Sequence, residues 1–279
     1  MQEKTFDYKG SKIFYKVKGS GKLLILIHGF GEDSNIWNNI FLKFSESMKV
    51  VAPDIPGSGR SEILKKSNYQ SSISIDNYAL TINEIIDREL NSNYNKDNLP
   101  EKVSIIGHSM GGYIALSYAN LYPEKVEKIG LFHSTVFADD ELKIAVRKKA
   151  IEFIQKNGAY NFLKISIPDL FSPMSKLKFQ DSIQEILVQA KNFTEQALIQ
   201  YYEAMITRKD HTNLLIRLKV PFLFIIGEDD KAVPLNISLQ QCHIADISQI
   251  LILQDVAHMG MIEASDKCYY AIKSFLTDL

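Results

Sequence analysis

The sequence predicts an α/β domain built on a buried, largely parallel sheet and interrupted by one helical insertion. Short continuous apolar runs, the pattern of strands covered on both faces, alternate with stretches of helical period. The segment 134–218 breaks that alternation, with several amphipathic helical patterns and no convincing strand.

Along the chain, residues 6–8 and 13–17 flank the turn Lys9-Gly10-Ser11, with alternating apolar positions that read as an antiparallel hairpin at the sheet edge. Buried strands are expected at 23–27, 50–52, 103–106, 129–132, 222–226 and 250–253. Helical periodicity fills 73–90, 113–121 and 265–276. The Asn-rich run 91–98 reads as a surface loop before the strand at 103. Inside the insertion, helices are expected at 141–155, 183–190 and 195–206. The core domain is therefore expected to comprise 1–133 and 219–279, with 134–218 as a helical lid.

Hydrophobic residues make up 46% and charged residues 23%, the balance of a globular chain. Lys and Arg total 32 against 33 for Asp and Glu, and a net charge of -1 supplies no field to attract a polyanion. Nucleic acid is not an expected partner. The first ten residues lack the apolar stretch of a secretory signal, and no run approaches the ~18 apolar residues of a membrane span. A cytoplasmic protein without a membrane span is expected. Cys242 and Cys268 lack metal-ligand spacing and sit in helix-like stretches, so they read as reduced structural thiols, with no metal implied.

The chemistry starts at Gly107-His108-Ser109-Met110-Gly111-Gly112, which follows an apolar strand and opens a helix. A serine held in so sharp a turn brings the residues two positions either side against neighbouring backbone, where only very small side chains fit. Ser109 is the candidate nucleophile. Attack on a carbonyl builds negative charge on oxygen, which preorganised N–H donors must meet. Met110, opening the helix, offers one backbone N–H, and Phe30, in the loop HGFG at 28–31, is nominated for the other. His28 is expected to orient that loop, His108 to pack beside the turn, and His133 to be either pocket wall or structural; with Gly29 they are expected around the pocket.

A serine hydroxyl needs a base, and His258 lies between the last strand and last helix, where a loop can carry it over the sheet edge. His211 falls at the lid boundary and His243 in an expected helix. The base needs a carboxylate to fix its tautomer. Glu228, Asp229 and Asp230 follow the strand at 222–226, with Asp230 preferred and Asp229 next. Asp54 is expected to tether the turn Pro56-Gly57-Ser58-Gly59 instead.

Together HGFG at 28–31, DIPGSGRS at 54–61, GHSMGG at 107–112, GEDDKAVP at 227–234 and AHMGMIE at 257–263 resemble the α/β-hydrolase superfamily, and closely its lidded branch of esterases, C–C bond hydrolases and similar enzymes. The resemblance covers nearly the whole chain. It implies Ser109 as nucleophile, Met110 and Phe30 as oxyanion donors, His258 as base, and Asp230 as acid because it stands where the family's D-x-x-x-P aspartate stands. Ala257 departs from the Gly often found before that histidine. Ser at the elbow, and not Asp, disfavours dehalogenases and epoxide hydrolases.

The expected function is hydrolysis of a small-molecule carboxylic ester through an acyl-enzyme, without cofactor, by a monomer or homodimer. A C–C hydrolase or lyase acting on a carboxylate-bearing substrate would need a lid cation, for which Arg147, Arg208 and Arg217 are available. A ligand-binding receptor of the same fold is the alternative outside enzymes. Aromatics of the insertion, among them Phe153, Tyr160, Phe162, Phe171, Tyr201 and Tyr202, are expected to include pocket walls.

Overall fold

The computed structural model describes residues 1–66, 72–90 and 102–278. The expected loop at 91–98 lies outside them. An eight-stranded sheet runs in the order β1-β2-β4-β3-β5-β6-β7-β8. Its strands are β1 Gln2–Tyr8, β2 Ser11–Lys18, β3 Leu23–Ile27, β4 Lys49–Pro53, β5 Val103–His108, β6 Val126–Phe132, β7 Phe222–Gly227 and β8 Ser248–Leu253. The first two form the expected edge hairpin, with Tyr8 opposite Ser11, and β2 pairs antiparallel to β4. Every later pairing is parallel.

All residues of β3, β5 and β7 are buried, as continuous apolar runs require of strands covered on both faces. Burying each such aliphatic side chain contributes about 1.5–3 kcal/mol. The run at 250–253 behaves differently. As the edge strand β8 it leaves Ile250 and Ile252 about half exposed, 46% and 48%. Apolar continuity alone does not reveal which strand ends the sheet.

The core helices are α1 Asn38–Phe44, α2 Ile75–Leu90 and α3 Met110–Leu121. Right-handed crossovers send the chain from β3 outward through α1 to β4, and back through α2 and α3 towards β5 and β6, so α1 lies on the opposite face from α2 and α3. The order reverses between β3 and β5. At such a switch point the loops leaving two neighbouring strands diverge and open a crevice at their carboxyl ends. The HGFG loop leaves β3 there, and Ser109 leaves β5.

Between β6 and β7 lie α4 Glu141–Asn157, α5 Ala159–Ser166, α6 Pro173–Lys178, α7 Gln180–Ala190, α8 Glu195–Ile206 and α9 Thr212–Arg217, with no strand among the described residues. After β7 come α10 Leu235–Gln241, α11 Gly260–Glu263 and α12 Ser265–Asp278. The last packs beside α1, where Lys43 pairs with Asp266 at 2.8 Å and Phe44 meets Tyr269. His243, expected in a helix, falls in the turns after α10, which stops once Cys242 caps it. Both cysteines are buried and unbridged. No helix of the described residues is long and apolar enough to cross a membrane.

Candidate active site

Ser109 sits between β5 and α3 with φ 50 and ψ -116, a conformation that non-glycine residues rarely adopt. The surrounding structure holds it there. Its N–H donates to the Phe132 carbonyl at 2.9 Å, and its carbonyl accepts from Gly112 N at 2.9 Å and from the Ser134 hydroxyl at 2.8 Å. A Cβ at Gly107 would strike the Gly111 carbonyl, and one at Gly111 would strike the Ile27 carbonyl. Both glycines that the spacing singled out are therefore sterically obligatory. Gly29, two residues past β3, lies so close that an added Cβ would come within 3.1 Å of Ser109 Cβ.

His258 is brought to the same rim by the loop after β8. Its backbone N–H donates to the Leu170 carbonyl at 2.9 Å, which ties the loop to the helical insertion. Glu263, which the sequence did not single out, shapes this loop by accepting from the N–H groups of Met259 at 3.0 Å and Ala257 at 3.2 Å. The imidazole Nδ1 lies 2.7 Å from Asp230 Oδ2. A carboxylate only accepts, so Nδ1 donates to it, and in the neutral ring Nε2 is then the acceptor. Asp230 Oδ1 accepts from Ala232 N at 2.8 Å and Val233 N at 2.9 Å, which fixes the plane of the carboxylate. Burial would raise the Asp230 carboxyl, yet the adjoining His258 and His133 outweigh it and hold the group far below the usual carboxylate range. The neighbouring Asp229 is exposed and does not line the cavity described below.

Ser109 and His258 both line one cavity of about 710 Å³, whose wall also includes Phe30, Tyr113, Arg147 and Tyr202. Phe30 stacks on Tyr202 with ring centroids 4.5 Å apart and meets Phe162 and Tyr201 edge-on, so the HGFG loop is clamped to α5 and α8. The N–H groups of Phe30 and Met110 donate no hydrogen bond among the described residues. Of the aromatics expected on the walls, Tyr202 alone is there, while Phe171 and Tyr201 are core.

His28, Gly29, His108 and His133, expected around the pocket, are all buried and none lines the cavity. Each ring is engaged behind the wall. His28 Nε2 accepts from Ile55 N at 3.0 Å, and its Nδ1 lies 2.8 Å from the Gly29 carbonyl, which orients the loop as expected. Asp54 tethers as expected, accepting from Arg60 N at 2.8 Å and Ser34 N at 2.9 Å. His133 Nε2 accepts from Gly260 N at 3.2 Å, while its Nδ1 lies 3.3 Å from Asp230 Oδ2, off the line of a hydrogen bond. Burial pushes this ring down to about 4, so it is neutral near pH 7. His133, Asp230 and His258 place one ligand atom each within 4.8 Å of one another, a spacing set by two imidazoles sharing one carboxylate.

His108 does more than pack beside the turn. Its Nδ1 lies 2.9 Å from Glu32 Oε2 and its Nε2 lies 2.9 Å from the His258 carbonyl. Both acceptors demand a proton, so the ring is an imidazolium with Glu32 as counter-ion. Burial opposes both charges, yet their mutual attraction raises His108 and lowers Glu32. Because Glu32 Oε2 also accepts from Gly29 N at 2.7 Å, the pair braces the HGFG loop and the His258 loop at once. Glu32→Gln is expected to cost about 1–3 kcal/mol of stability in urea titrations. The wild-type advantage should be full between about pH 4.5 and 6.5, the ordinary values of Glu and His, and should shrink as pH rises through the raised His108 value. A difference independent of pH would remove the ion pair from this account.

Comparisons with known proteins agree with this architecture. The model of a family described as alpha/beta hydrolase fold matches residues 22–149. Lipase 1 of Psychrobacter immobilis is 25% identical over 281 residues, covering 96% of this chain and 82% of the lipase. A pimeloyl-[acyl-carrier protein] methyl ester esterase of Wigglesworthia glossinidia brevipalpis is 26% identical over 253 residues, covering 88% of this chain and 90% of the esterase. Among solved structures, an esterase from Thermogutta terrifontis has the same fold, with a TM-score of 0.86 at 21% identity, covering 100% of this chain and 99% of that one.

Proposed function

We propose that this chain, whose residues 22–149 match the family model described as alpha/beta hydrolase fold, is a serine hydrolase of the α/β-hydrolase superfamily acting on small carboxylic esters, with Ser109 as nucleophile, His258 as base and Asp230 as the carboxylate that orients it. The observation that carries this is the 2.7 Å bond from His258 Nδ1 to Asp230, because it leaves Nε2 as a proton acceptor on the wall of the cavity that Ser109 also lines. The relatives being lipases and esterases supports the same reading.

In this mechanism Ser109 Oγ attacks the ester carbonyl as its proton passes to His258 Nε2. The anionic oxygen is met by the N–H groups of Phe30 and Met110, the latter strengthened by the dipole of α3. His258 then protonates the departing alcohol. Water, deprotonated by the same ring, attacks the acyl-enzyme and releases the acid with Ser109 restored. In the same reading 134–218 is the lid and 1–133 with 219–279 the core.

A fluorophosphonate probe is expected to label the wild-type chain at residue 109 and to leave Ser109→Ala unlabelled. A panel of p-nitrophenyl esters, from acetate to decanoate, should be turned over by wild type alone. Labelling at another residue, or equal turnover by both proteins, would overturn the assignment.

A further inference from the structure

Part of the cavity wall is cationic. Arg147 on α4 and Arg208, just after α8, both lie on it and share the single carboxylate of Asp139. Arg147 Nε lies 2.5 Å from Asp139 Oδ2, and Arg208 NH1 lies 2.6 Å from Oδ1. The Asp139 side chain is completely buried, and the arginine side chains are only 11% and 3% exposed. Two cations to one anion leaves a surplus positive charge out of bulk water, which is costly unless something answers it.

Among the described residues, the other carboxylate on this part of the wall is Asp140, which is exposed to water and caps α4, accepting from Lys143 N at 2.7 Å. Lys143 adds a further cation, with its Nζ donating to the neutral Ala232 carbonyl at 2.7 Å. Arg208 gives NH2 to the Phe137 carbonyl at 2.7 Å and NH1 to the Met205 carbonyl at 3.2 Å, yet its Nε is buried without a partner. Arg147 spends Nε and NH2 on Asp139 and has no partner for NH1 among the described residues. The Tyr113 ring lies 4.0 Å beneath the Arg208 guanidinium, and its hydroxyl has no hydrogen-bond partner among the described residues. Burial would raise that hydroxyl, but the Arg208, Arg147 and Lys143 charges outweigh it and pull it below its ordinary value.

From this geometry we infer that the cavity takes substrates carrying a carboxylate remote from the scissile ester, held by Arg147 with Arg208 and Tyr113 beneath it. This rests on the hydrolase reading above. A carboxylate supplies the missing counter-charge and matches the planar fork of a guanidinium. Tyr113 follows Ser109 by four residues of α3, about 6 Å along the axis at 1.5 Å per residue, and its ring centroid lies 4.0 Å from the Arg208 guanidinium, so a series of diacid chain lengths measures the span between the nucleophile and the cationic wall.

The test compares mono-p-nitrophenyl esters of adipate, pimelate and suberate with the uncharged p-nitrophenyl hexanoate, heptanoate and octanoate. In wild type the charged member of at least one pair is expected to have a kcat/KM more than about tenfold higher than its neutral match. Arg147→Met should bring that ratio to about one or below, and Arg147→Lys should leave an intermediate ratio, since an ammonium restores charge but not the fork. The variant keeps Arg208 and Asp139 as a balanced one-to-one pair, so it is expected to fold. A wild-type ratio at or below one, or a ratio that Arg147→Met does not change, would overturn the inference. If no ester is hydrolysed by wild type, the hydrolase reading fails. Calorimetry then decides this inference separately: pimelate must bind wild type at least tenfold more tightly than heptanoate and lose that advantage in Arg147→Met, and equal binding would refute it.

Discussion

Replacing His258 by Ala is expected to lower kcat for the best p-nitrophenyl ester by about 10⁴- to 10⁶-fold, the range seen when a member of a nucleophile and base pair that acts as a unit is lost. Geometry explains why no neighbouring histidine among the described residues can substitute. His133 is neutral but spends its acceptor nitrogen on Gly260 N, and His108 has both ring nitrogens committed to Glu32 and to the His258 carbonyl. Neither ring lines the cavity. The double variant Ser109→Ala, His258→Ala should be no slower than the slower single variant, because the two side chains perform one proton transfer. Pre-steady-state bursts and steady-state rates on the three variants measure this. A loss under tenfold for His258→Ala, or multiplying losses in the double variant, would dismiss the imidazole as the base.

Asp230→Asn should cost about 10⁴ in kcat while the chain stays folded. Oδ1 is pinned by the N–H groups of Ala232 and Val233, so the amide oxygen of an asparagine would be held there and its NH2 turned towards His258. That NH2 can only donate. It would force Nδ1 to accept, move the ring proton to Nε2, and block the transfer from Ser109. Asp229→Asn is the control, because that carboxylate is exposed and away from the cavity, and it should retain near wild-type rates. Circular dichroism and kcat on both variants decide the matter. If Asp229→Asn is the damaged one, or Asp230→Asn keeps more than a tenth of the rate, the orienting carboxylate has been misassigned.

Features that backbone sterics dictate were legible in the sequence. Gly107 and Gly111 flank Ser109 because each meets main-chain carbonyls, and a contact with backbone leaves the same imprint whatever side chains surround it. Strand positions were legible for a similar reason, since burial on both faces demands apolar runs. The exposed face of β8 was not, because edge position follows from the pairing order and not from local composition. Glu263 was invisible too. An acid one turn into a short helix looks ordinary until the loop it holds has folded back onto it.

By itself the sequence determined the alternation of strand and helix, the strained elbow at Ser109, and the His258 and Asp230 candidates on loops that leave the sheet. All of these follow from local sterics and from the period of apolar burial. Only the tertiary structure decided that His108 is a charged brace paired with Glu32, and that Arg147 and Arg208 share one buried carboxylate. Charge state and solvation depend on which distant groups converge in space, and folding brings together residues whose separation along the chain carries no trace of that meeting.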